Sequence, residues 1–332
     1  QIMYYPNCLE YKNNIEEICY DQDHIEKVWG EIKQIIPEYF QEYTDTESGH
    51  SVQESELEKL AAKFGSTSKP KSKPKNIKKI LERLLKESIE DFEKERNSYQ
   101  EIFDLESLEE YRHDVNSFKN TILKNQIPII RKTLQNKQAK ELDKFRSAFN
   151  SAQPGHLFDI TYNIVKLANK LRKERYNGKN FESIDSCSEL DYHKFDEEDY
   201  TAFGVIGGGI KSQIIYRLFP EMFPSRSREA VWALYYLSNK KKFDCKEDSQ
   251  FLMINAKEGT TQQNYFYPYG IFAFYALRIF NKLKELYALQ GISLPVEYRF
   301  VVVDCFLSFV SRTHQTEIDI LKQNSQNYHY DY

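Results

Sequence analysis

Cysteine is scarce and poorly spaced for bridging: Cys8, Cys19, Cys187, Cys245 and Cys305 are odd in number, far apart, and include no Cys-x-x-Cys pair. That excludes a disulfide framework and a zinc knuckle. Long apolar runs are missing as well. The longest, around Phe272 to Ile279, falls short of the roughly 20 residues that a bilayer span needs, and no basic-then-apolar leader pattern is visible. The expectation is a soluble protein in a reducing, cytoplasmic setting with no membrane partner. An excess of positive charge is also absent, and the net charge of −4 excludes a polycation that coats nucleic acid indiscriminately. No Gly-x-Ser-x-Gly elbow, His-Glu-x-x-His pair or dinucleotide fingerprint occurs, so hydrolase and dehydrogenase chemistry has no motif to stand on.

What is present is an ordinary globular composition, 40% hydrophobic and 29% charged, able to bury a sizeable core. At 332 residues, two domains are favoured over one, because single cores stop growing at about 250–300 residues. The charge is unevenly laid out. Acids such as Glu16, Glu17, Asp21, Glu26, Glu31, Glu38 and Glu42 dominate the start. Basic runs follow at Lys69–Lys79, at Lys166–Lys179, and at Lys211, Arg217, Arg226, Arg228, Lys240, Lys241 and Lys242. Taken alone, each run reads as a solvated helix face as readily as an anion-binding surface.

Helical punctuation dominates the first half. Ser51 and Glu54 are spaced as a capping box, and Gly65 stands where the helix they open should end. Pro70 and Pro74 among Ser and Lys make residues 66–75 an extended linker. Ile77, Ile80, Leu81, Leu84, Leu85, Ile89 and Phe92 recur at three- and four-residue steps and predict an amphipathic helix. A second capping box, Ser107 with Glu110, precedes Leu108, Tyr111, Val115, Phe118 and Ile122; further helices are expected after Pro128 and from Leu157 to Leu171. The second half is richer in aromatics, with an acidic loop over 185–199 and helices expected at Ile210–Phe219, Arg228–Leu237 and Ile271–Leu289, the last closed by Gly291. Phe251–Ile254 and Phe300–Val303 read as strands, although such aliphatic runs equally suit a buried helix. The expected fold is mainly α, at most α+β with a small sheet in the C-terminal half. Its parts are an acidic helical region over 1–65, the linker, an amphipathic bundle or hairpin over 76–180, and an aromatic-rich C-terminal domain over 181–332.

The densest chemical signal is Gly204, Val205, Ile206, Gly207, Gly208, Gly209, Ile210, Lys211, Ser212. Clustered glycines let backbone amides approach a phosphate at a helix start. Ile210 separates the last glycine from the Lys-Ser pair, so the register is not that of a mononucleotide P-loop. The segment from Gly207 to Ser212 resembles the hairpin of helix-hairpin-helix DNA-binding modules, which implies phosphate contacts by Gly207, Gly208, Gly209, Lys211 and Ser212. Arg226, Arg228, Lys240, Lys241 and Lys242 would widen that cationic surface. A plain turn that starts a helix explains the same residues.

Acids before an apolar run and Asn-x-Lys after it, at Asp244, Asp248, Asn255 and Lys257, resemble the PD-(D/E)xK nucleases. The resemblance implies Asp244 and Asp248 as metal ligands for Mg2+ or Mn2+, and Asp248 with Lys257 as catalytic groups. Gln262, Gln263, Asn264, Tyr265 and Tyr267 form an amide-and-aromatic stretch suited to reading and stacking on unpaired bases, or to pinning a helix entry. His193 stands near Cys187, Asp191 and Asp196, an arrangement open to metal or acid–base work if the loop folds over itself. The leading expectation is a nucleic-acid backbone-binding protein, with a metal-dependent nuclease of a microbial defence or mobile-element system as its enzymatic extension by analogy. The alternative is a non-catalytic helical adaptor whose helices from Ile77 to Phe149 form a homo-oligomer or bind a protein partner.

Overall fold

The computed structural model describes residues 20–46, 76–139, 142–176, 178, 180–241, 254–255, 260–261 and 268–327. Within them the chain is mainly helical, as the periodicity predicts. The Ser51–Glu54 box, Gly65 and the segment 66–75 lie outside the described residues, as do Phe251, Lys242, Asp244, Asp248, Lys257, Gln262, Gln263, Asn264, Tyr265 and Tyr267.

Among the described residues, helix α1 (Gln22–Thr46) and helix α2 (Ile77–Ile102) come first. The Asn76 side chain caps α2 by accepting the Lys79 amide at 3.1 Å. Leu81, Leu84, Phe92, Tyr99 and Ile102 form its buried stripe, so the predicted helix runs ten residues beyond Phe92. Its outer face carries spaced pairs, Lys78–Glu82 at 3.8 Å and Arg83–Glu87 at 3.4 Å. Such exposed pairs add only about 0.3–0.5 kcal/mol each. Helix α3 (Leu105–Glu110) starts earlier than the Ser107 box implies. Asp104 takes the cap, accepting the amides of Glu106 at 3.1 Å and Ser107 at 3.2 Å, because its carboxylate reaches the first free amides before Ser107 is exposed as a terminus.

A short 3-10 turn and α4 (Val115–Ser117) run into a π-helix over Phe118–Gln126, where the Ile127 amide bonds back to the Ile122 carbonyl at 3.3 Å. Helices α5 (Pro128–Gln135) and α7 (Pro154–Arg175) each open on a proline, whose missing N–H costs nothing there; α6 (Asp143–Ser151) lies between them. In the expected acidic loop, α8 (Cys187–Leu190) forms under a capping box of Ser186 with Glu189.

Helices α9 (Gly208–Leu218), α10 (Arg228–Leu237), α11 (Tyr269–Leu289), α12 (Arg299–Thr313) and α13 (Gln315–Asn327) follow. Gly291, at φ 68°, closes the end of α11 as anticipated. Phe300–Val303 is helical, not extended. All four residues are buried because α12 packs along α10, α11 and α2, and a helical turn covered on every side shows the unbroken apolar run that also marks a buried strand. Ile254–Asn255 pairs antiparallel with Thr260–Thr261, a two-residue ladder too short to make a sheet. Every residue from Ala230 to Leu237 is buried, so α10 is a centre of the core.

Among the described residues Arg299 is the least exposed charge, with zero exposure. Its Nη1 donates to the Glu221 carbonyl and its Nη2 to Glu182 Oε1 at 3.0 Å. The guanidinium lies 4.9 Å from the Phe181 ring and 5.2 Å from that of Phe280. Lys284 meets the same Glu182 at 2.5 Å. Although burial pushes the Glu182 carboxyl up, hydrogen bonds from Lys284 and Arg299 outweigh it and hold the group below its ordinary range.

Asp304 of α12 faces Tyr216 and Arg217 of α9 and Glu229 of α10. Burial pushes its carboxyl up to about 7, with Arg217 opposing and Glu229 adding. The folded state therefore binds this proton more tightly than the unfolded chain does. The stability it contributes is full below about pH 4 and is lost as pH rises through about 7. Asp304→Asn should flatten that dependence and be more stable than the parent at about pH 8, by about 1–3 kcal/mol. Urea unfolding at about pH 5 and about pH 8 reads this directly; equal pH dependence in both proteins contradicts it.

Candidate nucleic-acid interface

The glycine turn is built as a helix start. An antiparallel bridge between Ala202 and Ile206 closes a tight loop in which Gly204 takes φ 76°, a left-handed value that suits glycine. Phe203 rides the tip at 70% exposure. Gly207 then caps α9, whose ladder begins with the Lys211 amide on the Gly207 carbonyl at 3.0 Å. The amides of Gly208, Gly209 and Ile210 head the helix, at the positive end of its dipole.

Lys211 and Ser212 do not reach outward. Lys211 is 3% exposed, and its ammonium donates to the Phe195 carbonyl and to Thr201 Oγ1 at 2.8 Å. Burial draws its ammonium down to about 8, with Asp196 opposing and Arg226 adding to the fall. Ser212 is fully buried, donating to the Gly209 carbonyl at 3.0 Å and accepting the Arg226 amide at 2.9 Å. The same seam is closed by Ser225, which donates to Gln213 Oε1 at 3.0 Å. These bonds staple the start of α9 to the segment that leads into α10, whose own cap, Ser227, accepts the Ala230 amide at 3.0 Å.

Gly208 explains itself through Arg226. A Cβ on Gly208 would stand 1.2 Å from Arg226 Nη2 and 2.4 Å from its Cζ, so the guanidinium lies directly against this α-carbon. Arg226 is 6% exposed. Beneath it is Asp196, which accepts the Tyr269 amide at 2.8 Å. Burial raises the Asp196 carboxyl, while Arg226 and Lys211 pull it down. The floor is aromatic: Tyr192 stacks on Tyr269 at 5.7 Å, and Phe195 stands edge-on to Phe223 and Tyr269 at 5.7 Å each.

The structure thus brings together Gly207, Gly208, Gly209, Lys211, Ser212 and Arg226, and adds the exposed Arg228 at the first turn of α10. Lys240 and Lys241 do not join them. They follow the far end of α10, about 15 Å along its axis, where Lys240 pairs with Glu317 at 2.7 Å and Lys241 with Glu31 at 2.6 Å. His193 Nδ1 is 3.4 Å from Asp191, which also binds Arg175 at 3.0 Å. Burial pushes the Cys187 thiol up to about 12, with Asp196 adding. No group of three or more His, Cys, Asp or Glu side chains converges as metal ligands among the described residues. Trp232, Tyr235 and Tyr236 are core.

Sequence reasoning passed over Phe203 and the role of Asp196. An aromatic beside a glycine in a turn was the available signal for the first; nothing local marks the second. Among the described residues no helix is long and apolar enough to cross a membrane. No known family model, curated protein or solved structure matches this chain.

Proposed function

We propose that this chain binds the phosphate backbone of nucleic acid at the meeting point of the α9 and α10 N-termini, and stacks an unpaired base on Phe203. The observation that carries this reading is Phe203 itself, a large aromatic at 70% exposure on a bridge-closed loop that leads straight into Gly207–Gly209. Two helix starts, the Arg226 guanidinium and exposed Arg228 lend positive potential to that spot, against Asp196 and Glu229. Lys211 and Ser212 support the turn from inside in this reading, while glycine amides and Arg228 make the contacts. Residues 181–332 are then the binding half of the protein. The nuclease extension rests on Asp244, Asp248 and Lys257, with Mg2+ or Mn2+ as the cofactor.

Equilibrium binding of a short labelled single strand and its duplex across a salt series tests the proposal. Affinity should fall steeply with salt, and Arg228→Glu should flatten that slope by about one or more. Phe203→Ala should cost about 1–3 kcal/mol of single-strand affinity with the melting temperature unchanged, because the ring packs against little. Absence of binding at low salt to either nucleic acid rejects the reading. It leaves the non-catalytic helical adaptor, for which exposed Phe203 is the anchor; the predicted amphipathic helices turn Leu81, Phe92, Leu108, Phe118 and Phe149 inward.

A further inference from the structure

A second cluster, at the far end of α10, fastens helix α13. His314 joins α12 to α13, and its Nε2 lies 2.6 Å from the Tyr39 hydroxyl of α1. Its ring stacks on Tyr236 of α10, with centroids 3.8 Å apart and planes 5° from parallel. Nδ1 faces Glu317 Oε2 of α13 at 3.9 Å. Glu317 accepts from Lys240 at 2.7 Å, and that ammonium sits 5.3 Å from the Tyr236 ring. Left-handed backbone at Asn239 and Lys240, φ 58° and 55°, turns the chain so that Lys240 reaches this position. Trp232 extends the stack behind Tyr236, 6.3 Å away.

We propose that His314 is a proton-operated clasp, holding α13 against α1 and α10 more tightly when its imidazole is charged. The groups around it set the sign. Glu317 lies beside the ring, and Glu38 and Glu42 of α1 act on the same Tyr39 hydroxyl that His314 contacts. Among the described residues, Lys240 and, on the preceding turn, exposed Arg312 are the opposing cations; Tyr39, Tyr235 and Tyr236 are phenols that stay neutral, pushed up chiefly by burial. A neutral ring accepts from Tyr39 and offers Glu317 only a partial charge. A charged ring donates from Nε2 to the Tyr39 oxygen, meets Glu317 with a full charge, and gains a cation–π contact across the Tyr236 face. Imidazole changes charge between about pH 5 and about pH 8, so the clasp loosens over that interval as pH rises. Loosening uncovers the face of Tyr236 on which the His314 ring stacks.

Hydrogen exchange of the full chain, corrected for intrinsic rates, reads this at about pH 5.5 and about pH 7.5. Protection in Gln315–Asn327 should fall several-fold at the higher pH while that of Tyr269–Leu289 holds. His314→Gln should abolish the difference, and Glu317→Gln, on the outer side of the cluster, should shrink it without threatening the fold. A parent protein with pH-independent protection in α13 overturns the proposal, as does an undiminished pH response in Glu317→Gln.

Discussion

Arg299→Ala should lower the unfolding free energy by about 3–5 kcal/mol, the range for breaking a buried ion pair by deleting one partner. Three losses coincide. Glu182 Oε1 and the Glu221 carbonyl each lose a charged donor, and the rings of Phe181 and Phe280 lose the plane packed against them. The alanine also leaves a cavity in a close-packed region. Lys284→Met makes the control, since Lys284 reaches the same carboxylate with its side chain 46% exposed and should cost less than about 1 kcal/mol. The measurement is the urea midpoint at constant slope. Similar losses for the two variants would mean that Arg299 acts as a surface ion and that the burial argument fails.

Gly208→Ala is the second large effect, at about 2–4 kcal/mol, and its cause is a neighbour eighteen positions away. With a methyl where Nη2 now lies, the Arg226 guanidinium must leave its place above Asp196, and a buried carboxyl loses the charge that most favours its ionised form. Because the clash is with one side chain, the damage should be conditional. Gly208→Ala added to Arg226→Ala should cost little beyond Arg226→Ala alone, a coupling that a double-mutant cycle measures. Gly207→Ala should be within about 0.5 kcal/mol of neutral, since a Cβ there meets nothing within 4 Å. Additive losses in the cycle would show that Gly208 matters for its backbone and not for Arg226.

These two positions mark where sequence reading reaches and where it stops. Helix limits are local matters of spacing and caps, which is why Arg228–Leu237 matches its expected bounds and Gly291 ends α11 where anticipated. The Ser107 box misled because Asp104, a better-placed acceptor, stood three residues earlier. Phe300–Val303 misled because enclosure, and not local propensity, decides what a continuous aliphatic run becomes. At the candidate site the glycine turn and its helix were legible, as was the proximity of Arg226 and Arg228. The inward turn of Lys211 was not, since its acceptors, the Phe195 carbonyl and Thr201, belong to a segment that only the tertiary fold lays beneath α9. The partners that remove Lys240 and Lys241 from the cationic surface, Glu317 and Glu31, are likewise distant in the chain.

The coil from Phe118 to Gln126 bears on how this molecule tolerates changes of length. An extra residue in an α-helix either rotates everything downstream by about 100°, off its contacts, or is absorbed as a wider turn. Here the wider turn is already in place while Phe118 keeps its edge-on seat against Phe158 at 5.4 Å. Loss of one residue from this stretch has a relaxed state to fall into, ordinary α-helix, which makes it a place within the interior where the chain can be shortened without recutting the surfaces on either side.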